Sequence, residues 1–281
     1  MKKKLPILIG LIFIAGLGFF LFKKYSKRPP SQDQTVTTPS PTPTNLLTLE
    51  STPKYEVSSQ NVNYYGNVNG YLAKPAQDGT YPGIVMIHEW WGLNDNIREM
   101  AKLLASQGYI VLAVDLHNGK VAQTADEARE LTSSLNQDEA LNNMKAAREY
   151  LIKGNADKIA GLGWCFGGKQ SLQLALSGVP LDATVIYYGS LETDQNKLSS
   201  IKWPVLGVFG GEDQSIPVDS VKEFETGLKN LKVENEIYIY PKVGHAFANP
   251  SNQNYAPEET KDAWAKTLSF LEKHLQKTSN K

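Results

Sequence analysis

The sequence predicts an α/β fold, a mostly parallel β-sheet with helices on both faces. Three observations point there. From residue 84 onward, short apolar runs alternate with longer stretches whose apolar residues recur at three- and four-residue spacing. The short runs are apolar throughout, as expected of strands covered on both sides. The chain has 281 residues, 41% of them hydrophobic, which suffices for one sizeable core.

Taken in order, residues 55–57, 62–65 and 70–73 suggest a small antiparallel entry. Residues 84–87 read as a strand, and 94–107 as a helix ended by Gly108. A strand at 110–114 precedes two helical stretches, 122–135 and 138–152. Then come a strand at Ile159, a helix around Gln170, strands at 183–188 and Val205, a helix over 218–231, a strand from Glu236 and a final helix from Pro257. These elements make one domain, 54–281. Ahead of it, residues 1–28 hold an uncharged stretch, 5–22, flanked by lysines and Arg28. Eighteen uncharged residues are at the short end for a membrane span and long for a signal-peptide core, and no small-x-small cleavage site follows. An uncleaved single-pass anchor is the expectation, with a cleaved, secreted form as the alternative. Residues 29–53 are rich in Pro, Ser and Thr and read as a disordered linker, placing the domain outside the cytoplasm.

The chemistry concentrates on one turn. Between the Ile159 strand and the Gln170 helix lies Gly163-x-Cys165-x-Gly167-Gly168, holding the chain's single cysteine. A nucleophile on a sharp strand-to-helix turn flanked by glycines is the nucleophile elbow of α/β-hydrolases, here with Cys in place of Ser. Without a Cβ, the glycines let strand and helix pass closely, and the helix N-terminus aims N–H groups at the sulfur. In that fold the acid and then the base follow in chain order. Asp213, in Gly210-Gly-Glu-Asp, comes 48 residues after Cys165, and His245 comes 80 residues after it. Each sits just past the carboxyl end of an expected strand, where such sheets place their active groups. Glu89, at the end of the 84–87 strand beside Trp90 and Trp91, is a further candidate. His88 reads as structural, His117 as a loop residue and His274 as a surface residue.

The chain resembles the dienelactone hydrolases from about Tyr55 to about Leu275. The carrying motifs are His88-Glu-Trp-Trp-Gly92, Asp115-Leu116, Gly163-Trp-Cys-Phe-Gly-Gly168, Tyr187-Tyr-Gly189, Gly210-Gly-Glu-Asp213 and Gly244-His-Ala-Phe247. The resemblance implies an α/β-hydrolase fold and a Cys165–His245–Asp213 triad. It also implies that Glu89 is a carboxylate influencing the cysteine, with the Phe166 and Trp90 N–H groups as oxyanion hole. Relatives that cleave dienelactone carry arginines where Gly119 and Asn249 stand here. Carboxylate recognition is therefore expected to be lost, unless Lys120 supplies one charge. Trp91, Tyr188 and Phe247 are the other expected pocket residues.

The implied activity is hydrolysis of a small ester or lactone through a thioester, probed best with neutral substrates. A catalytically silent binding protein and a cysteine peptidase or acyltransferase are the rival classes. No metal or organic cofactor is expected, and a monomer is. Beyond residue 28 the chain has 22 basic and 29 acidic residues, which argues against a basic nucleic-acid surface.

Overall fold

The computed structural model of the protein describes residues 52–276. The expected anchor at 5–22 lies outside the described residues, as does the linker apart from Thr52 and Pro53. Among the described residues no helix is long and apolar enough to cross a membrane.

The elements are β1 (Val57–Tyr65), β2 (Val68–Pro75), β3 (Gly83–Ile87), α1 (Asp95–Ser106), β4 (Ile110–Val114), α2 (Ala125–Ser133), α3 (Gln137–Lys153), β5 (Ile159–Trp164), α4 (Phe166–Leu176), β6 (Ala183–Tyr187), α5 (Gln195–Leu198), β7 (Val205–Gly210), α6 (Val218–Asn230), β8 (Asn235–Tyr240) and α7 (Pro257–Leu275). The strands form one sheet in the order β1-β2-β4-β3-β5-β6-β7-β8. β1, β2 and β4 pair antiparallel. From β4 through β8 every pairing is parallel. The entry is longer than expected: β1 and β2 form one continuous hairpin rather than fragments, because its exposed, asparagine-rich outer face carries no apolar periodicity.

Both faces of β3 to β7 are covered, which explains their nearly continuous apolar sequences, whereas the edge strand β8 is half-buried throughout and carries Asn235 and Glu236. Within β3, Ile84 and Met86 join a core with α1 and α7, whereas Val85 and Ile87 join a second core with α3, α4 and α6. Side chains alternate across a strand, so one four-residue apolar run serves both layers. Helix starts follow local chemistry. Asn94, Thr124 and Asn136 each accept a hydrogen bond from the N–H three residues on, at the caps of α1, α2 and α3. Such caps contribute about 1 kcal/mol each. The expected end of α1 before Gly108 holds, with Gln107 as C-cap and Gly108 at φ +96°. Segments 88–93, 115–122, 165, 188–189, 211–216 and 241–249 follow the carboxyl ends of β3, β4, β5, β6, β7 and β8. The fold thus gathers them along one edge of the sheet.

Candidate active site

The site begins at the turn from β5 to α4. Cys165 has φ 55° and ψ −116°, outside the regions an L-residue favours. Holding a non-glycine residue there costs about 1–3 kcal/mol and persists only where the surroundings over-determine it. They do so here. The Cys165 N–H donates to the Tyr187 carbonyl at 2.9 Å, and its carbonyl accepts from Lys169 N–H at 3.1 Å. The elbow glycines are demanded by contact: a Cβ on Gly163 would overlap the Gly167 carbonyl, and one on Gly167 would overlap the carbonyls of Ile87 and His88. The start of α4 therefore abuts the end of β3.

Beside the sulfur, His245 Nε2 lies 3.1 Å from Cys165 Sγ, and its Nδ1 lies 2.7 Å from Asp213 Oδ2. Asp213 is buried, and its other oxygen accepts the N–H groups of Ser215 and Ile216 at 2.8 and 3.1 Å. These bonds leave Oδ2 for the imidazole. The neighbouring Glu212 side chain is exposed. The 241–249 loop is held against 211–213 by Glu212 N–H to Val243 carbonyl, 3.0 Å, and Asn254 Nδ2 donates to the His245 carbonyl at 3.0 Å. Burial alone would lower the basicity of His245. The Asp213 hydrogen bond and the adjacent sulfur outweigh it and push its pKa up to about 10.

Glu89 is 5% exposed, and its Oε2 accepts from Asn249 Nδ2 at 2.5 Å. Burial raises its carboxyl to about 7, against the opposing pull of His245 and the Asn249 amide. In the sequence Asn249 stands out only as the place of an absent arginine. The structure makes it the polar partner of Glu89 across 160 positions, a pairing no local spacing discloses. Phe166 N–H, at the first position of α4, and Trp90 N–H face no acceptor in the turn and loop hydrogen bonds among the described residues.

The remaining expected residues differ in exposure. Tyr188 and Phe247 are 1% and 0% exposed. Tyr188 packs edge-on against His245, with centroids 5.3 Å apart, and against Phe247 at 5.8 Å. Tyr188 buttresses the imidazole and Phe247 backs Tyr188, so neither presents an open wall. Trp90 and Trp91 are half-buried, their rings 5.0 Å apart. Lys120 is exposed and lines a polar groove of about 260 Å³ with Asn61, Asn69, Arg98, Asp115 and Gly119, whose lining includes none of Cys165, Asp213 or His245. His274 is tucked against Phe270, 4.6 Å between centroids, rather than on the surface, because α7 turns that side of its last turn to the core. Among the described residues no group of three or more His, Cys, Asp or Glu side chains could hold a metal ion.

A mostly parallel, doubly covered sheet with a strained residue on a glycine-flanked strand-to-helix turn, and an imidazole and a carboxylate delivered by the next strand ends, defines an α/β-hydrolase. The chain belongs to the dienelactone hydrolase family, whose model matches residues 68–275. Within that class it is a hydrolase acting on esters or lactones. It is 32% identical over 244 residues to a Saccharolobus solfataricus protein named "Putative carboxymethylenebutenolidase", covering 73% of this chain and 93% of that one. It is 30% identical over 219 residues to "Protein usf" of Aquifex pyrophilus, covering 74% and 94%. A crystal structure from Klebsiella pneumoniae, called "Putative Dienelactone Hydrolase", superposes with TM-score 0.70 at 25% identity, covering 76% of this chain and 98% of that one.

Proposed function

We propose that the protein cleaves small, neutral esters or lactones by covalent catalysis at Cys165. The observation that carries this reading is the continuous contact Asp213–His245–Cys165, at 2.7 and 3.1 Å, assembled from three different strand ends. The Cys165 sulfur, its proton held by His245, attacks the substrate carbonyl carbon. A C–S bond forms and the carbonyl oxygen becomes an oxyanion, which the Phe166 and Trp90 N–H groups stabilise. The oxyanion collapses, the C–O bond to the leaving group breaks, and His245 Nε2 gives that oxygen its proton. A water deprotonated by His245 then hydrolyses the thioester. Asp213 fixes the imidazole orientation and supports its charge. Glu89, held by Asn249, supplies a second ionisable group within the electrostatic reach of His245.

Substrate choice follows from what the site lacks. No arginine stands at 119 or 249, and the chain beyond residue 28 has a surplus of acidic residues. Both disfavour a substrate carboxylate. Dienelactone is accordingly not the preferred substrate. We place the catalytic domain as a monomer outside the cytoplasm, on a single-pass anchor at 5–22. Fractionation of cells making the full chain tests this: recovery in the soluble cytoplasm overturns it. The chemistry is tested with a chromogenic short-chain ester, with and without a thiol alkylator. Turnover that survives full alkylation of Cys165 rejects it.

A further inference from the structure

One buried histidine outside the proposed chemistry has both ring nitrogens committed. His88 is 0% exposed at the end of β3. Its Nδ1 lies 2.6 Å from the Glu89 carbonyl oxygen, and its Nε2 accepts the Leu116 N–H at 3.1 Å. A carbonyl oxygen can only accept and a peptide N–H can only donate. Nδ1 therefore carries the proton and Nε2 is bare, so the partners dictate the tautomer. Burial keeps the ring neutral, with its pKa lowered to about 4.

The atom that Nδ1–H grips belongs to a particular peptide. The Glu89 carbonyl and the Trp90 N–H are the two ends of one planar trans amide and point in opposite directions. Anchoring one end sets the direction of the other. Gly92 N–H donates to the same carbonyl at 3.2 Å. The His88 ring is clamped in turn, with the His117 ring 4.7 Å and the Phe166 ring 5.9 Å between centroids. Phe166 is the residue whose N–H is the other proposed oxyanion donor, so one imidazole braces both halves of that site. The 115–122 loop closes the arrangement: Leu116 occupies Nε2, and Ala122 N–H donates to the Trp91 carbonyl at 2.9 Å.

We propose that His88 is a positioning residue for the oxyanion hole: its Nδ1–H locks the Glu89–Trp90 peptide so that the Trp90 N–H faces the carbonyl under attack by Cys165. This rests on the thioester reading and names what preorganises it. The hydrogen bonds of His88 go to two backbone groups and not to the sulfur. His88 acts through one peptide orientation, which matters when negative charge develops on the substrate oxygen and little before.

The test uses the full-length protein and three variants. His88→Leu removes the donor. His88→Asn keeps an amide donor near the Nδ1 position. Cys165→Ala reports on the underlying reading. Each is assayed for kcat and KM on a chromogenic short-chain ester. The His88 variants are also assayed for the rate of Cys165 alkylation by iodoacetamide, a reaction that forms no oxyanion. His88→Leu is expected to lower kcat about 100-fold, the loss typical of one oxyanion donor. KM should stay within about threefold and the alkylation rate within about twofold, and His88→Asn should recover about tenfold of the lost kcat. Full kcat in His88→Leu overturns the proposal. So does a parallel fall of alkylation and kcat, or a His88→Asn variant no better than His88→Leu. If His88→Leu does not fold, ¹⁵N resonances of the wild-type imidazole decide: protonated Nδ1 with bare Nε2 between pH 5 and 8 supports the lock, and protonated Nε2 overturns it. Turnover surviving in Cys165→Ala removes the thioester reading and this proposal with it. Turnover lost in Cys165→Ala but intact in His88→Leu removes this proposal alone.

Discussion

Glu89→Gln removes one buried ionisable proton and changes little of the local shape. The native carboxyl is raised from the ordinary 4.5 to about 7, chiefly by burial. A raised acid stabilises the folded state at low pH, where both states are protonated. As pH rises past 4.5 the unfolded chain releases its proton while the folded one keeps it, so this contribution is lost progressively up to about pH 7. At 1.36 kcal/mol per pH unit the full loss is roughly 3 kcal/mol. For a domain of this size that corresponds to a fall in Tm of about 6–12 °C. Gln keeps the length and an acceptor oxygen for Asn249 Nδ2, but cannot titrate. The assay is Tm against pH from 4 to 8 for wild type and Glu89→Gln. The wild-type curve should descend relative to the variant between pH 4.5 and 7 and run parallel above. His245, raised to about 10, adds a further descent above its ordinary 6.5 that both proteins share. Cys165 alkylation should lose an inflection near pH 7 in the variant. Parallel Tm curves across pH 4.5–7, together with identical alkylation profiles, would refute the reasoning and take Glu89 out of the site.

Three other outcomes are expected. Asp213→Asn leaves the loop bonds from Ser215 and Ile216 but removes the charge behind His245. We expect kcat to fall about 10⁴-fold by analogy with other triads, and a fall under tenfold would deny Asp213 its role. Gly163→Ala drives a Cβ into the Gly167 carbonyl and should cost about 3 kcal/mol or more, read as a lowered Tm; an unchanged Tm contradicts the elbow geometry. Catalytic efficiency on a neutral ester should match or exceed that on dienelactone, and Lys120→Ala should change neither. A strong carboxylate preference lost in Lys120→Ala would restore the dienelactone reading.

Much of this was readable from residues because it is local. Strands buried on both faces show as short apolar runs, and the ends of α1 show as Asn94 and Gly108. The elbow shows as glycines around one cysteine, since backbone crowding leaves no alternative. Asp213 and His245 were legible because the fold orders them after the nucleophile and at strand ends. What escaped were pairings between distant segments. The antiparallel β2–β4 edge, the Glu89–Asn249 hydrogen bond and the His88–Leu116 contact join residues 28 to 160 positions apart, and no periodicity records them. The sequence reads His88 as structural, which its full burial fits; its Nδ1 contact with the Glu89 carbonyl has no local signature. Lys120 could be placed on the loop after β4, but not in the groove it lines, because a flexible side chain's direction depends on its surroundings. The four-residue α5 is too short to show a period.

The proposed chemistry turns on a thioester at Cys165. Rapid quenching of the protein during turnover of a slowly deacylated ester, followed by peptide mass analysis, tests it directly. The substrate's acyl mass is expected on the peptide containing Cys165, removable by hydroxylamine and absent in Cys165→Ala. Steady turnover with no acylated Cys165, or an acyl group on another residue, would contradict it.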